Sequence, residues 1–420
     1  MKLTSDEQDT LQGNHGEAAR LAMAVIVDIG ELFGAEELIP VSQAHIDTTI
    51  YMVDAGVEFV EKLCELGARF SIPTQLNPSA VDLQRPEKLR ADGEILEKSR
   101  RLERAYLKMG AIPTWTCAPY QQGLVPMFGE QIAWGESNAI AFANSILGAR
   151  TNRYADLMDI CVAIIGKAPG FGLHLTRNRK AQLLVKLADI GSDRFRDKTL
   201  FPLLGFVFGE LAGDRIGALE GMPKDVEVDD LKAFSAAAAS SGAVGLFHII
   251  GVTPEAQTRE MAFQGEAPEK TLEITSQMIQ NAEDRLRTTN GREADLISLG
   301  CPHYSAVQFS RLRDCFAGRK VHDSVSFWVN TSRSVYSWIE NSGVLQELEQ
   351  AGVTVFVDGC PLQYPKKNWN FTVAMSDSAK FANYCFSQTG LEVAFGSMAD
   401  CVETAVYGKI IRRGLSWQQS

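Results

Sequence analysis

Three of the eight cysteines in this 420-residue sequence stand apart from the rest. Cys117 in "WTCAPY", Cys301 in "LGCPHY" and Cys360 in "DGCPLQ" each close a short apolar run, and each is followed within two residues by a proline. A proline fixes φ and interrupts the regular chain, which holds the neighbouring thiol in one direction. Three scattered thiolates could hold an iron–sulfur cluster or a single metal ion and leave a coordination position open for Lewis-acid chemistry. Three small buried residues at strand ends would look the same, because no CxxC spacing is present. The wide spacing speaks against a zinc knuckle. Nucleophilic chemistry by Cys301 with His303 would need residues two apart to face each other. The other five, Cys64, Cys161, Cys315, Cys385 and Cys401, fall inside apolar helical or strand patterns, where cysteine behaves as a small hydrophobe.

Other polar residues gather where apolar runs stop. "QAHIDTT" offers His45 and Asp47, and "PTQLNPSAVD" offers Thr74 and Asn77. "GESN" opens a helical pattern with Glu136, Ser137 and Asn138, and a helix N-terminus presents free N–H groups to an anion. "GLHLTRNR" adds His174 and Arg179, the latter a candidate carboxylate clamp. Taken singly, each could be a cap or turn residue. Their shared position after strands is the informative feature. A lone histidine such as His248 in "GLFHIIG" reads as a core residue, and no GxGxxG or P-loop spacing appears.

The elements that must position these residues alternate. "HGEAARLAMAVIVDIGELFGA" has helical periodicity, "ELIPVSQAH" reads as a strand, and "YMVDAGVEFVEKLCELG" as a helix. The order continues with strands "ARFSIPTQLN" and "AIPTWTC" and the helix "ESNAIAFANSILGA". After the strand "GAVGLFHIIG" it runs on as strand and helix to the end. The last part contains "ADLISLG", expected to end at Gly300, and its near echo "VTVFVDG" before Cys360. Such alternation implies α/β layers with mostly parallel sheets. Polar stretches at "GKAPGFGLHLTRNRK" and "QNAEDRLRTTNGREAD" suggest three α/β regions, 1–165, 166–290 and 291–420. The first would carry Cys117, and the last Cys301 and Cys360.

A net charge of −11 with no basic face argues against nucleic acid or an anionic membrane as partner. The polar start "MKLTSDEQDT" lacks the form of a secretory signal, and no apolar stretch is long enough to span a bilayer, so a cytoplasmic protein is expected.

The segments "HGEAARLAM", "AHID", "TWTCAPY", "GEQIAWGESNAIAFANSILGARTNRYAD", "GLHLTRNR", "FHIIGVTPEA", "SLGCPHYS", "VDGCP", "SDSAKFANY" and "FGSMADCVETAVYG" resemble the large subunit, or catalytic region, of aconitase X. The resemblance runs from about residue 12 to 410. It implies an aconitase-like core around a central cleft, with an iron–sulfur cluster or mononuclear iron on Cys117, Cys301 and Cys360. It further implies a separate swivelling domain bearing a catalytic serine. The final run "GLSWQQS" leaves no room for one, so a small-subunit partner is expected. Dehydratase activity is implied, either on cis-3-hydroxy-L-proline, giving 1-pyrroline-2-carboxylate, or on mevalonate 5-phosphate. A non-catalytic iron-binding protein is the remaining alternative. His45, Asp47 and His303 are the expected catalytic residues. Thr74, Asn77, Glu136, Ser137, Asn138, His174 and Arg179 are the expected substrate contacts, with Asn77, Ser137 and Asn138 on the carboxylate. The archaeal branch of the family has a "HVSGVS"-like segment where this sequence has "HIDTT". Asp47 would repel a phosphate and suits the ring ammonium of a hydroxyproline.

Overall fold

The computed structural model describes residues 1–89, 91, 93–154, 156–364 and 369–415, so the last five residues of "GLSWQQS" lie outside the described residues. The chain folds as mixed α/β layers, and among the described residues the strands form four sheets. A small antiparallel pair joins Leu38–Pro40 to Lys167–Pro169. The other three sheets are parallel. No helix among the described residues is long and apolar enough to cross a membrane.

Two of the parallel sheets position the residues of interest. The first is three-stranded, with Ala44–Ile46 between Thr74–Leu76 and Ala133–Trp134. Beyond the carboxyl ends of these strands come Asp47, Asn77 and Glu136. The second is five-stranded, in the order Val353–Val357, Ser326–Thr331, Leu296–Tyr304, Val373–Ser376, Glu392–Phe395. Its order reverses between Leu296–Tyr304 and Val373–Ser376, and such a switch point opens a crevice at the strand ends. This sheet is buried on both faces. Ile297, Leu299, Val329 and Val355 pack into one apolar cluster, while Leu296, Trp328 and Phe356 face another. Each fully buried side chain of this size contributes roughly 1.5–3 kcal/mol. Ser305, Ser332, Ser378 and Ser397 each stand between a strand of this sheet and the following helix and accept a first-turn amide of that helix, a cap that starts it promptly after the strand.

The two Gly-Cys-Pro segments are delivered differently from expectation. The strand "ADLISLG" does not stop at Gly300 but runs on to Tyr304. Between Leu299 and Tyr304 it spends five residues where its neighbour spends two, Val329 to Thr331, so Gly300–His303 bulge out of the ladder. Gly300 has φ +87°, and a Cβ there would collide with the Asn330 backbone, so glycine is required. Cys360 instead lies past the end of Val353–Val357, after a turn at Asp358 and Gly359. "AIPTWTC" forms no strand. It makes one bridge, Ile112 with Gln75, and then Trp115 at φ 45° turns the chain, so Cys117 sits in a loop. "GAVGLFHIIG" keeps only His248–Ile249 as strand.

Candidate active site

The two sheets meet with their strand ends facing a cavity of about 370 Å³. Asp47, Asn77, Glu136, Ser137, Cys117, Cys301, His303, Cys360 and Lys380 all line it. Backbone bonds lock the sheets together at this edge: Ser79 N–H donates to Asp358 O at 2.6 Å, and Cys360 N–H donates to Ser79 O at 3.1 Å. A larger, mostly apolar cavity of about 740 Å³ adjoins it and shares Arg153, Tyr154 and Asp156. It holds none of the three thiols, so the chemistry belongs to the smaller one.

The three thiols come from two loops and a strand bulge held by polar contacts. Asn138 Nδ2 donates to the Cys117 carbonyl at 3.2 Å, and Ser378 Oγ donates to the Cys301 carbonyl. The His303 amide donates to Cys117 Sγ at 3.4 Å. Burial pushes the Cys117 thiol up to about 12, and raises Cys301 and Cys360 as well, with the other thiols adding to the effect at Cys301. Lys380 opposes these shifts at all three, which places an ammonium beside the thiols.

Lys380 stands in the first turn of Ala379–Thr389. Its Nζ donates to Glu136 Oε1 and reaches Ser137 Oγ at 3.4 Å. Burial works against its charge, but Glu136 and the thiols raise it above the usual lysine value. Burial likewise opposes ionisation of Glu136, yet Lys380 and the helix amides hold it below the usual range. The Glu136 carboxylate accepts the Ala139 amide at 2.7 Å and so caps its own helix. One amide of that N-terminus is therefore taken by Glu136 itself. Asp47 accepts a hydrogen bond from Asn77 Nδ2, and burial, then Glu136, Asp159 and Asp156, push its carboxyl to about 8.

Five expected site residues lie outside the cavity. His45 is buried, with Nε2 donating to the Thr116 carbonyl at 2.8 Å, and burial lowers it to about 4. Thr74 is a strand residue whose Oγ1 donates to Ile72 O at 2.9 Å. Asn138 is spent on Cys117 and on Tyr120, at 2.8 Å from its hydroxyl. His174 packs between Gln131 and Tyr154. Arg179, 1% exposed, is a buried hub: it donates to Glu255, to Asn144 and to the Leu173 and Ala149 carbonyls. All five bond to the protein frame outside the cavity, although His45 Nδ1 and Asn138 Oδ1 have no hydrogen-bond partner among the described residues. Arg179→Met should leave part-buried Glu255 to the more distant Arg150 at 4.0 Å and cost about 3 kcal/mol in urea unfolding, with the Michaelis constant of the folded protein unmoved. A raised Michaelis constant at unchanged stability would return Arg179 to the substrate.

Sequence inspection missed Lys380, Arg153 and Asp159. A lysine in a helix's first turn opposes the helix dipole, which was the available signal for Lys380. Asp159, inside the apolar run "MDICVAII", accepts the Asp47 amide at 2.6 Å and the Ile160 amide at 2.8 Å. Burial nonetheless raises its carboxyl to about 7. The folded protein thus holds protons on Asp159 and Asp47 that the unfolded chain releases near the ordinary value of 3.8. Stability is fully present below that value and is lost as pH rises through about 7 and 8. Asp159→Asn should flatten the fall of melting temperature between pH 5 and 8. An equally steep fall would remove Asp159 as its source.

Fold and site together define an α/β enzyme whose thiol-lined cleft lies at a topological switch point. The sequence matches three family models: the aconitase X first domain over 1–177, the second over 181–284 and the third over 294–407. It is 42% identical to a cis-3-hydroxy-L-proline dehydratase of Pseudomonas aeruginosa, covering 97% of this chain and 70% of that protein. It is 33% identical to the phosphomevalonate dehydratase large subunit of Methanosarcina mazei, covering 99% of both. The crystal structure of Thermococcus kodakaraensis aconitase X in its holo form superposes with a TM-score of 0.87 at 29% identity, covering 96% of this chain and all of that one. The chain belongs to the aconitase X family, and with it to the hydro-lyases.

Proposed function

We propose that this chain is the catalytic large subunit of an iron-dependent dehydratase that converts cis-3-hydroxy-L-proline to 1-pyrroline-2-carboxylate. The observation that carries the reading is the convergence of Asp47, Asn77 and Glu136 from one sheet with Cys301, Cys360 and Lys380 from another on one cavity of about 370 Å³. That volume suits a small ligand. The 42% identity to the Pseudomonas enzyme supports the substrate.

The donor set fits an iron centre. Three thiols line one cavity beside an ammonium that favours their ionised form. Thiolates are ligands both for an iron–sulfur cluster and for a single soft metal ion. Held by Cys117, Cys301 and Cys360, such a centre supplies a Lewis acid for the departing β-hydroxyl. The protein supplies the rest. The Lys380 ammonium, with Ser137 Oγ beside it, faces the substrate carboxylate and steadies the charge that grows there as the α-proton leaves. Arg153 on the cavity rim is a second cation for that group. Asp47 receives the ring ammonium, whose charge offsets the burial and the neighbouring carboxyls that now keep this carboxyl protonated. Water is lost as a proton from Cα and the hydroxyl from Cβ, leaving a Cα=Cβ enamine that tautomerises, the N–H proton moving to Cβ, to 1-pyrroline-2-carboxylate. The large-subunit relatives, matched along almost their whole length, support a small-subunit partner that closes the cleft. The resemblance assigns that partner the serine.

Mevalonate 5-phosphate is the second reading, supported by end-to-end matches to the archaeal large subunits. An ammonium would be met directly by Asp47, whereas a phosphate bound there would lie against the Glu136 and Asp156 carboxyl groups. Asp47→Asn tests the choice. Loss of a charge-assisted bond costs on the order of 1.5–3 kcal/mol, so the Michaelis constant for hydroxyproline should rise roughly ten- to a hundred-fold. A wild-type pair that dehydrates mevalonate 5-phosphate and ignores hydroxyproline would falsify the assignment.

A further inference from the structure

We propose that His303 is the positioning residue that fixes the three thiols relative to one another, and that it takes no part in proton transfer. The proposal deepens the metal reading above and rests on it only for the identity of the group held.

The His303 side chain is buried where the three cysteine segments meet. Its Nε2 lies 3.1 Å from the Gly359 carbonyl, next to Cys360 in sequence. Its Nδ1 lies 3.0 Å from Thr116 Oγ1, next to Cys117. Its own backbone is two residues past Cys301, and its amide donates to Cys117 Sγ at 3.4 Å. The partners fix the tautomer. A carbonyl only accepts, so Nε2 carries the proton and Nδ1 accepts from the Thr116 hydroxyl. Thr116 Oγ1 in turn accepts the Ala118 amide at 3.1 Å, which accounts for that hydroxyl as both donor and acceptor. With both ring nitrogens committed, the imidazole has neither a free lone pair nor a free proton for a substrate.

The His303 backbone is anchored as well. Its carbonyl accepts from Gln121 Nε2 at 3.1 Å and from Lys232 Nζ at 3.2 Å. Lys232, buried, is fixed by Asp229 at 2.8 Å, which also accepts the Ser305 hydroxyl at 2.6 Å. The ring is therefore a rigid cross-brace: fixed at one end to the bulge carrying Cys301, it reaches the loops carrying Cys117 and Cys360. Partners just outside a ligand shell orient the ligands, and their removal weakens metal binding about ten- to a hundred-fold.

The test uses His303→Gln, which keeps a donor toward Gly359 but loses the Thr116 arm, and Thr116→Val, which cuts the same arm from the other side. Iron retention against a chelator should fall about ten- to a hundred-fold in each, with an altered visible spectrum, and the double variant should be no worse than either single. A second readout needs no metal: in the iron-free full chain, alkylation of Cys117 and Cys360, tracked by mass spectrometry, should quicken in both variants. If His303→Gln does not fold, Thr116→Val answers alone. Unchanged alkylation, or wild-type iron retention with a loss confined to kcat, overturns the proposal and makes His303 an acid–base residue. A wild-type protein that binds no iron sinks the metal reading instead, while the alkylation rates still decide the brace.

Discussion

Cys360→Ser is expected to lose iron and dehydratase activity together. Cys360 lies past a strand end on a turn whose Gly359 is packed against the Tyr364 ring, so the loop has little freedom to offer a substitute ligand. Its thiol faces the same cavity as Cys117 and Cys301, and losing one of three thiolates leaves a centre without enough donors. A Lewis acid acting on a leaving hydroxyl is worth several kcal/mol, so the rate should drop on the order of a thousand-fold or more. The control is Cys385→Ala, a buried helix residue away from the cavity, which should cost roughly 1 kcal/mol of stability and no iron. Iron content and rate measured on both proteins decide the matter. Full iron occupancy in Cys360→Ser would remove Cys360 from the centre.

Lys380→Met should have the second largest effect, and it should act in two separable ways. Removing the ammonium leaves Glu136, 6% exposed, as a buried charge without its counter-ion, which costs about 3–5 kcal/mol. It also removes the cation that faces the growing negative charge of the transition state, a loss of about a hundred- to a thousand-fold in kcat. Adding Glu136→Gln removes the stranded charge. The double variant should therefore regain most of the melting temperature while staying catalytically poor. If activity returns with stability, Lys380 is structural and the catalytic role is wrong.

Much of this site was legible before the fold was known, and the reasons are local. The three site cysteines could be separated from the other five because a proline comes just after each and an apolar run just before. Asp47, Asn77 and Glu136 could be named because parallel strands expose the residues just past their carboxyl ends. What sequence could not show was direction. Nothing in "HID" says that His45 turns inward to Thr116 while Asp47, two residues on, faces the cavity. Arg179 had the chemistry of a clamp, but its partners Asn144 and Glu255 are 35 and 76 residues away, and only tertiary structure brings them together. The helix Leu200–Ala212 gave no amphipathic signal because it is buried on nearly every side, and periodicity marks only helices with a wet face. Trp115 turned an expected strand into a loop through its own backbone angle, which no alternation of residue types encodes.

The most direct measurement is a crystal structure of the anaerobically purified pair with cis-3-hydroxy-L-proline, with anomalous difference maps collected at the iron edge. The expected result is a peak bounded by the sulfurs of Cys117, Cys301 and Cys360, with the substrate carboxylate at Lys380 and the ring nitrogen at Asp47. Iron bound elsewhere, or turnover by crystals with no iron peak between those three sulfurs, would contradict the assignment.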